Sequence, residues 1–198
     1  MALLTAEEAR AYLAAKPTGS GEDGTLTTLI AVATSAAALV CGFPPDNVGH
    51  APTLEYATYQ VEIDGRGGRE LRLPVVPAVD VNEIIEDYDR DFDGTPVTSG
   101  DYILVNPATG LVRLTSTSTQ GTWGNGAGIL RVEFTAGWTS ATVPAHLKDL
   151  LGRIVRHLYD LRTNQGRPNT SAAGVTTTYE PTTHLPKWAR DELGRYTL

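Results

Sequence analysis

One cysteine, Cys41, is the whole thiol content of the 198 residues. An intrachain disulfide is therefore impossible, and the chain suits a reducing compartment. Cys41 sits in the apolar run AALVCGF, which reads as a buried, inert thiol. Histidine is also scarce: His50, His146, His157 and His184 show no HxxxH metal spacing. There is no GxSxG nucleophile elbow and no GxxxxGK[ST] phosphate loop. The GNGAG segment is not followed by a helix whose N-terminus would hold a dinucleotide. No enzyme, cofactor or metal site is expected. Positive charge is in deficit, with 16 Lys and Arg against 23 Asp and Glu and a net charge of −7. Gripping nucleic acid depends on clustered cations, so that class is disfavoured. No apolar run approaches the roughly 20 residues of a membrane span. The start, MALLTAEEARAYL, lacks the basic stretch and long apolar run of a signal peptide.

Helical signals stand at both ends. Thr5 and Glu8 are spaced as a capping box, with Leu4 and Ala9 as its staple, and predict a helix to about Ala15, before Pro17. After the loop PTGSGEDG, apolar residues at Leu26, Leu29, Ile30, Ala33, Ala37 and Val40 repeat at helical period, and Gly42 is placed to stop that helix. A third helix is predicted over 144–162, with Pro144 at its first position. Its apolar stripe is Leu147, Leu150, Leu151, Ile154, Val155, Leu158 and Leu161.

Between residues 54 and 135 the period changes to two. LEYATYQVEI and ELRLPV flank Asp64-Gly65-Arg66-Gly67-Gly68, which reads as a hairpin turn. YILVN and LVRLTS flank PATG, a second hairpin with Gly110 at the positive-φ position. TQGTWGNGAG reads as a loop, and ILRVEFT places Leu130, Val132 and Phe134 on one face. The total is about six strands, enough for a small sandwich or barrel.

The run DYDRDFDGTPVTSGDY puts Asp89, Asp91, Asp93 and Gly94 at positions 1, 3, 5 and 6 of a calcium loop. Position 12, which needs a bidentate acid, is Gly100, and strand-like sequence lies on both sides. The run reads as the solvated tip of a hairpin, with weak calcium binding as the alternative. Residues 55–101 carry 12 acids and 4 bases, whereas 102–198 carry 6 acids and 10 bases. The tail NQGRPNTSAAGVTTTYEPTTHLP is non-periodic and reads as an extended arm. PKWARDELGRYTL follows as a short amphipathic helix with Trp188 and Leu193 as anchors. Docking of that helix on its own domain and on a partner are equally open.

The segment FTAGWTSATVPAHLKDLLGRIVRHLYDLR, a strand, a corner at Gly137, Trp138 and Pro144, and then a long helix, resembles the C-terminal signature of tailed-phage head–tail connector (adaptor) proteins. LLTAEEARAYL followed by an Ala-rich second helix is similar to the same family, as is the strand beside the acidic turn. The family is also found in prophages and gene transfer agents. The resemblance implies an α+β fold: a small helical bundle of two N-terminal helices and one long C-terminal helix, an inserted antiparallel β-domain and an extended C-terminal arm. Its boundaries fall at 1–53, 54–138, 139–165 and 166–198. It implies a structural virion protein in the capsid–tail neck, made in the bacterial host cytoplasm. It would form a homo-oligomeric, dodecameric ring below the portal protein and offer a platform to a stopper or tail-terminator protein. DNA would pass through without specific binding, and no membrane is involved. Trp188, Leu193, Arg195 and Tyr196 would dock the arm on the portal. The alternatives are another phage or prophage neck or tail-completion protein, or a β-domain binding module for protein or carbohydrate.

Overall fold

The computed structural model describes residues 2–13, 20–163, 169–172, 175–178 and 185–196. In chain order the elements are helices α1 (Ala6–Arg10) and α2 (Asp23–Cys41), then strands β1 (Ala57–Arg66), β2 (Glu70–Arg72), β3 (Ala78–Glu86), β4 (Tyr102–Asn106), β5 (Leu111–Leu114) and β6 (Asn125–Ala136). Helix α3 (Ala145–Thr163), strands β7 (Asn169–Ala172) and β8 (Val175–Thr178), and helix α4 (Lys187–Leu193) complete the α+β chain. It divides into a helical unit, Met1–Cys41 with Thr139–Thr197, and a β unit, Gly42–Trp138.

In the helical unit, Thr5 and Glu8 form the complete capping box, with Thr5 N donating to Glu8 Oε2 at 2.8 Å and Glu8 N to Thr5 Oγ1 at 3.2 Å. Leu4 and Ala9 are buried as the staple requires. The helix ends at Arg10, short of the expected Ala15. Ala11, Tyr12 and Leu13 each donate to the carbonyl three residues back, which tightens and closes the turn. The rest of that expected helix and the start of the PTGSGEDG loop lie outside the described residues. Lys148 Nζ on α3 donates to Glu8 Oε1 at 2.6 Å. That bond, with the Thr5 N–H, holds the Glu8 carboxyl below its usual range. A depressed carboxyl pKa stabilises above the unfolded value and is lost as pH falls, so the α1–α3 tie weakens in acid.

Helix α2 starts at Asp23, earlier than its apolar period suggested, and Arg10 pairs with that carboxylate. Gly42, at φ +82°, ends it. The expectation of no span-length apolar element needs correcting. α2 has 19 residues and a mean hydropathy of 1.8, long and apolar enough by length and composition to cross a membrane. Its inner side is nonetheless committed, with Leu26, Ile30, Ala33, Thr34, Ala37, Ala38 and Cys41 buried in the helical unit. On α3, Leu147, Leu150, Leu151, Ile154 and Val155 are buried, while Leu158 and Leu161 are half-buried. Pro144 is the residue before the helix rather than its first, and its carbonyl accepts from Lys148 N at 3.0 Å. A Cβ at Gly152 would collide with the ring of Tyr12, so this glycine is what lets the turn after α1 lie against α3.

The β unit holds two three-stranded antiparallel sheets, ordered β1-β6-β3 and β2-β5-β4. Only the PATG hairpin joins neighbours as expected: β4 pairs with β5, and Gly110 takes φ +61°. Asp64–Gly68 is not a hairpin turn. β1 runs on to Arg66 and pairs with β6 (Tyr59↔Phe134, Arg66↔Asn125), while β2 pairs with β5. The acidic run is likewise not a hairpin tip, because β3 and β4 lie in different sheets and the run crosses between them. GNGAG, expected in a loop, opens β6. Gly124 leaves room for the ends of Glu86 and Tyr88, and Gly126 for Ile129, which a Cβ at either position would displace. Leu130, Val132 and Phe134 are fully buried. Tyr59 and Phe134 lie 5.8 Å apart, and Phe43 stacks on Trp138 at 6.0 Å.

Gly137 follows β6 at φ +102°, a region closed to ordinary side chains. A Cβ there would lie 2.5 Å from the Glu55 carbonyl oxygen. Its N–H donates to Pro77 O at 2.9 Å, and Trp138 N donates to Leu54 O at 3.0 Å. Both the dihedral and the crowding forbid a branched residue. Gly137→Val is expected to destabilise the protein by more than about 1 kcal/mol in urea unfolding; unchanged stability would show that the backbone can relax around this corner.

Candidate functional site

The residues singled out for docking meet on α4 and its neighbours, but not as a free aromatic face. Leu185, Ala189 and Leu193 recur every four residues and are buried at 6%, 0% and 0% exposure. The Cys41 thiol at the end of α2 lies 3.9 Å from the Leu193 carbonyl oxygen. Burial pushes that thiol up to about 11, as an inert core cysteine should behave. Of the two open placements for the terminal helix, the structure shows docking on its own helical unit. Leu193 is a core residue there.

The other face of α4 is polar and built against α3. Arg153 donates to both carboxylate oxygens of Glu192 at 3.2 Å, and its guanidinium lies 4.6 Å over the Trp188 ring. His146 Nδ1 lies 3.2 Å from the Tyr196 hydroxyl, and its Nε2 lies 3.6 Å from Glu192. Arg195 is exposed. An open groove of about 310 Å³ is lined by Arg153, Arg156, His157, Asp160 and Trp188. The site therefore pairs a half-buried indole with guanidinium and carboxylate groups, the composition of a protein-recognition patch. It has no nucleophile–base pair among its lining residues. The missed signal was the Leu185–Ala189–Leu193 spacing, which marks an inner face that Trp188 does not share.

The arm also differs from its reading. β7 and β8 pair antiparallel, Asn169↔Thr178 through Ala172↔Val175, where an extended segment was expected. The remainder, including His184, lies outside the described residues.

In the acidic run, Asp87, Asp91 and Asp93 bring one carboxylate oxygen each within 4.8 Å of one another; Asp89 is not among them. Asp87 accepts from Asp89 N at 2.9 Å and Phe92 N at 2.8 Å. The hydrogen bond with Asp91 and these N–H groups hold Asp87 low, while Asp91 is pushed up by its contact with Asp87. Phe92, at φ +52°, is buried with Arg131 3.9 Å from its ring centroid, so the run is a pinned crossing rather than a wholly solvated tip. A strand precedes it and a single 3₁₀ turn (Ser99–Asp101) follows, not the helix pair of an EF-hand.

No family model and no curated protein matches the chain. Its fold is nevertheless found among solved structures. A chain in the neck of an empty gene transfer agent (GTA) particle, computed with C6 symmetry, superimposes with a TM-score of 0.63 and 18% identity, over 98% of this chain and 89% of the other. A chain in the virion of a native GTA particle gives 0.59 at 19% identity over the same shares. One in the neck of a native GTA particle computed with C12 symmetry gives 0.54 at 17%, over 93% and 92%. At these identities the likeness is one of fold.

Because Leu185 and Leu193 are core, removing residues 185–198 is expected to destabilise the helical unit, contrary to a tail that merely hangs from it. Leu193→Ala should cost about 2–5 kcal/mol in urea unfolding. Trp188→Ala should cost less, since its ring is only half-buried. Equal and negligible losses would show that α4 does not close the unit.

Proposed function

We propose that this chain is a head–tail connector (adaptor) of a phage, prophage or gene-transfer-agent particle. It would form a ring below the portal, extend the DNA channel and offer a platform to a stopper or tail-terminator protein. The observation that carries the reading is the near-complete superposition on chains from GTA necks and virions. The sequence resemblance at Gly137–Trp138–Pro144 and α3 points the same way independently. The charge agrees: a conduit at net −7 does not neutralise many phosphates, so DNA is not held as it passes. The role is structural, not enzymatic, and belongs to the virion. A dodecamer is the proposed ring. The bundle of α1, α2 and α3 with the β unit inserted between α2 and α3 is the proposed family architecture.

For the portal we assign Trp188 of α4 with Arg195 and Tyr196 of the 3₁₀ turn that follows it (Gly194–Tyr196), and Leu193 as the inner anchor that presents them. A second neck role, as a tail-completion protein, fits the same superpositions, and its partner would be the tail instead of the portal.

Electron microscopy of the purified protein, alone and mixed with its portal, tests the reading. Rings, or density below the portal, are expected; a monomer that never joins portal-bearing heads would refute it. Duplex DNA should not bind at nanomolar concentration in about 150 mM salt, by fluorescence anisotropy. Tight binding would mean that the lining grips the genome.

A further inference from the structure

We propose that the outer face of α2 is the contact with a second copy of this chain. The inference rests on the ring reading and assigns the surface that builds the ring. Away from its buried side, Val32 is 48% and Leu39 63% exposed, two turns apart. Thr28 and Ala31 are exposed beside them, and Ser35 and Ala36 are half-buried between them. After Asp23 the helix carries no Asp, Glu, Lys or Arg at all. Exposed positions of α3, by contrast, are charged: Asp149, Arg156, Asp160 and Arg162. α2 instead presents Val32 and Leu39 on a strip without charge, which a protein neighbour can cover at no cost in desolvated ions. Its small residues let a neighbour approach closely.

A bilayer is the poorer occupant. Seven residues of α2 are packed inside the helical unit, and a span would have to strip them from it. A second copy is favoured because this fold occurs in necks computed with C6 and C12 symmetry, where one contact is repeated around an axis. Such a contact is heterologous, so the α2 face meets a different face of its neighbour. A 19-residue helix is about 28 Å long. A strip of that length and about 10 Å wide supplies the dry centre of an interface of about 800 Å² per partner, within a polar rim.

Leu39→Cys in the full-length protein gives the test. Cys41 is 3% exposed and serves as a silent background thiol. The thiol of L39C should react quickly with a maleimide in the free chain and at least about tenfold more slowly in rings on the portal. Leu39→Glu and Val32→Glu should keep the circular dichroism of the free chain and lose ring assembly. Rings in which L39C reacts as in the free chain, or rings formed by both Glu variants, would overturn this assignment while the connector reading stands. Protection of L39C by phospholipid vesicles but not by rings would do the same. A wild-type chain that forms no ring with or without the portal would overturn both.

Discussion

The pairing of β6 on both of its edges is the constraint on which the β unit depends. β6 is the middle strand between β1 and β3, so neither of those strands has a sheet without it. Both partnerships are distant in sequence: Ile63 meets Leu130 and Val81 meets Phe134. The closure entropy of such contacts must be met before hydrophobic burial can reward it, so burial has to be dense where the strands meet. It is: Tyr59, Ile84, Leu130, Val132 and Phe134 are at or near zero exposure. The same strand then delivers Gly137, whose missing side chain lets the Leu54–Tyr56 backbone close against Trp138, with Tyr56 N donating to Trp138 O at 2.9 Å and Trp138 N to Leu54 O at 3.0 Å.

The helical unit answers to a different economy. Three of its ion pairs, Glu8–Lys148, Arg162–Glu22 and Arg153–Glu192, join α3 to other elements; all are at least partly exposed, and pairs in that setting contribute little individually. Their value is in register: each ties α3 to a separate element, namely α1, the turn before α2, and α4. The energy comes from the aliphatic layer of Leu26, Ile30, Leu147, Leu150, Ile154 and Leu193, all buried. Gly152 shows how closely that layer is fitted, since the Tyr12 ring occupies the volume where a Cβ would be.

How legible these features were in the sequence depended on how local they are. The capping box, the helical period of α2 and α3, and the Gly110 hairpin are each written within a few residues, and the structure has all of them. Asp64–Gly68 carries good turn chemistry, yet turn residues report where a chain can bend and not which strand it will join. The glycines of GNGAG look like loop residues because their purpose is to leave space for Glu86, Tyr88 and Ile129, and Glu86 and Tyr88 lie far away in sequence. In the acidic cluster Asp87, not Asp89, joins Asp91 and Asp93, and Arg90 and Phe92 take positive φ between them, a backbone course that no spacing rule for a calcium loop anticipates. For α4, the four-residue stripe Leu185, Ala189 and Leu193, and not the larger Trp188, decides where the helix lies.

That stripe changes what the terminal helix can do for a partner. A tether that is disordered until it binds must meet its ordering cost from the binding energy, roughly 1–2 kcal/mol for each residue's backbone. α4 has already met that cost by burying Leu185, Ala189 and Leu193 against its own unit. Its polar side is held in place as well, with Trp188 under Arg153 and Tyr196 beside His146. A partner would therefore meet a preformed patch, and the contact would be made with little further loss of freedom. Under the proposed docking role, stability and docking would be coupled: whatever loosens Leu193 in the core would also disorder Trp188 and Tyr196, which are carried by the same terminal segment.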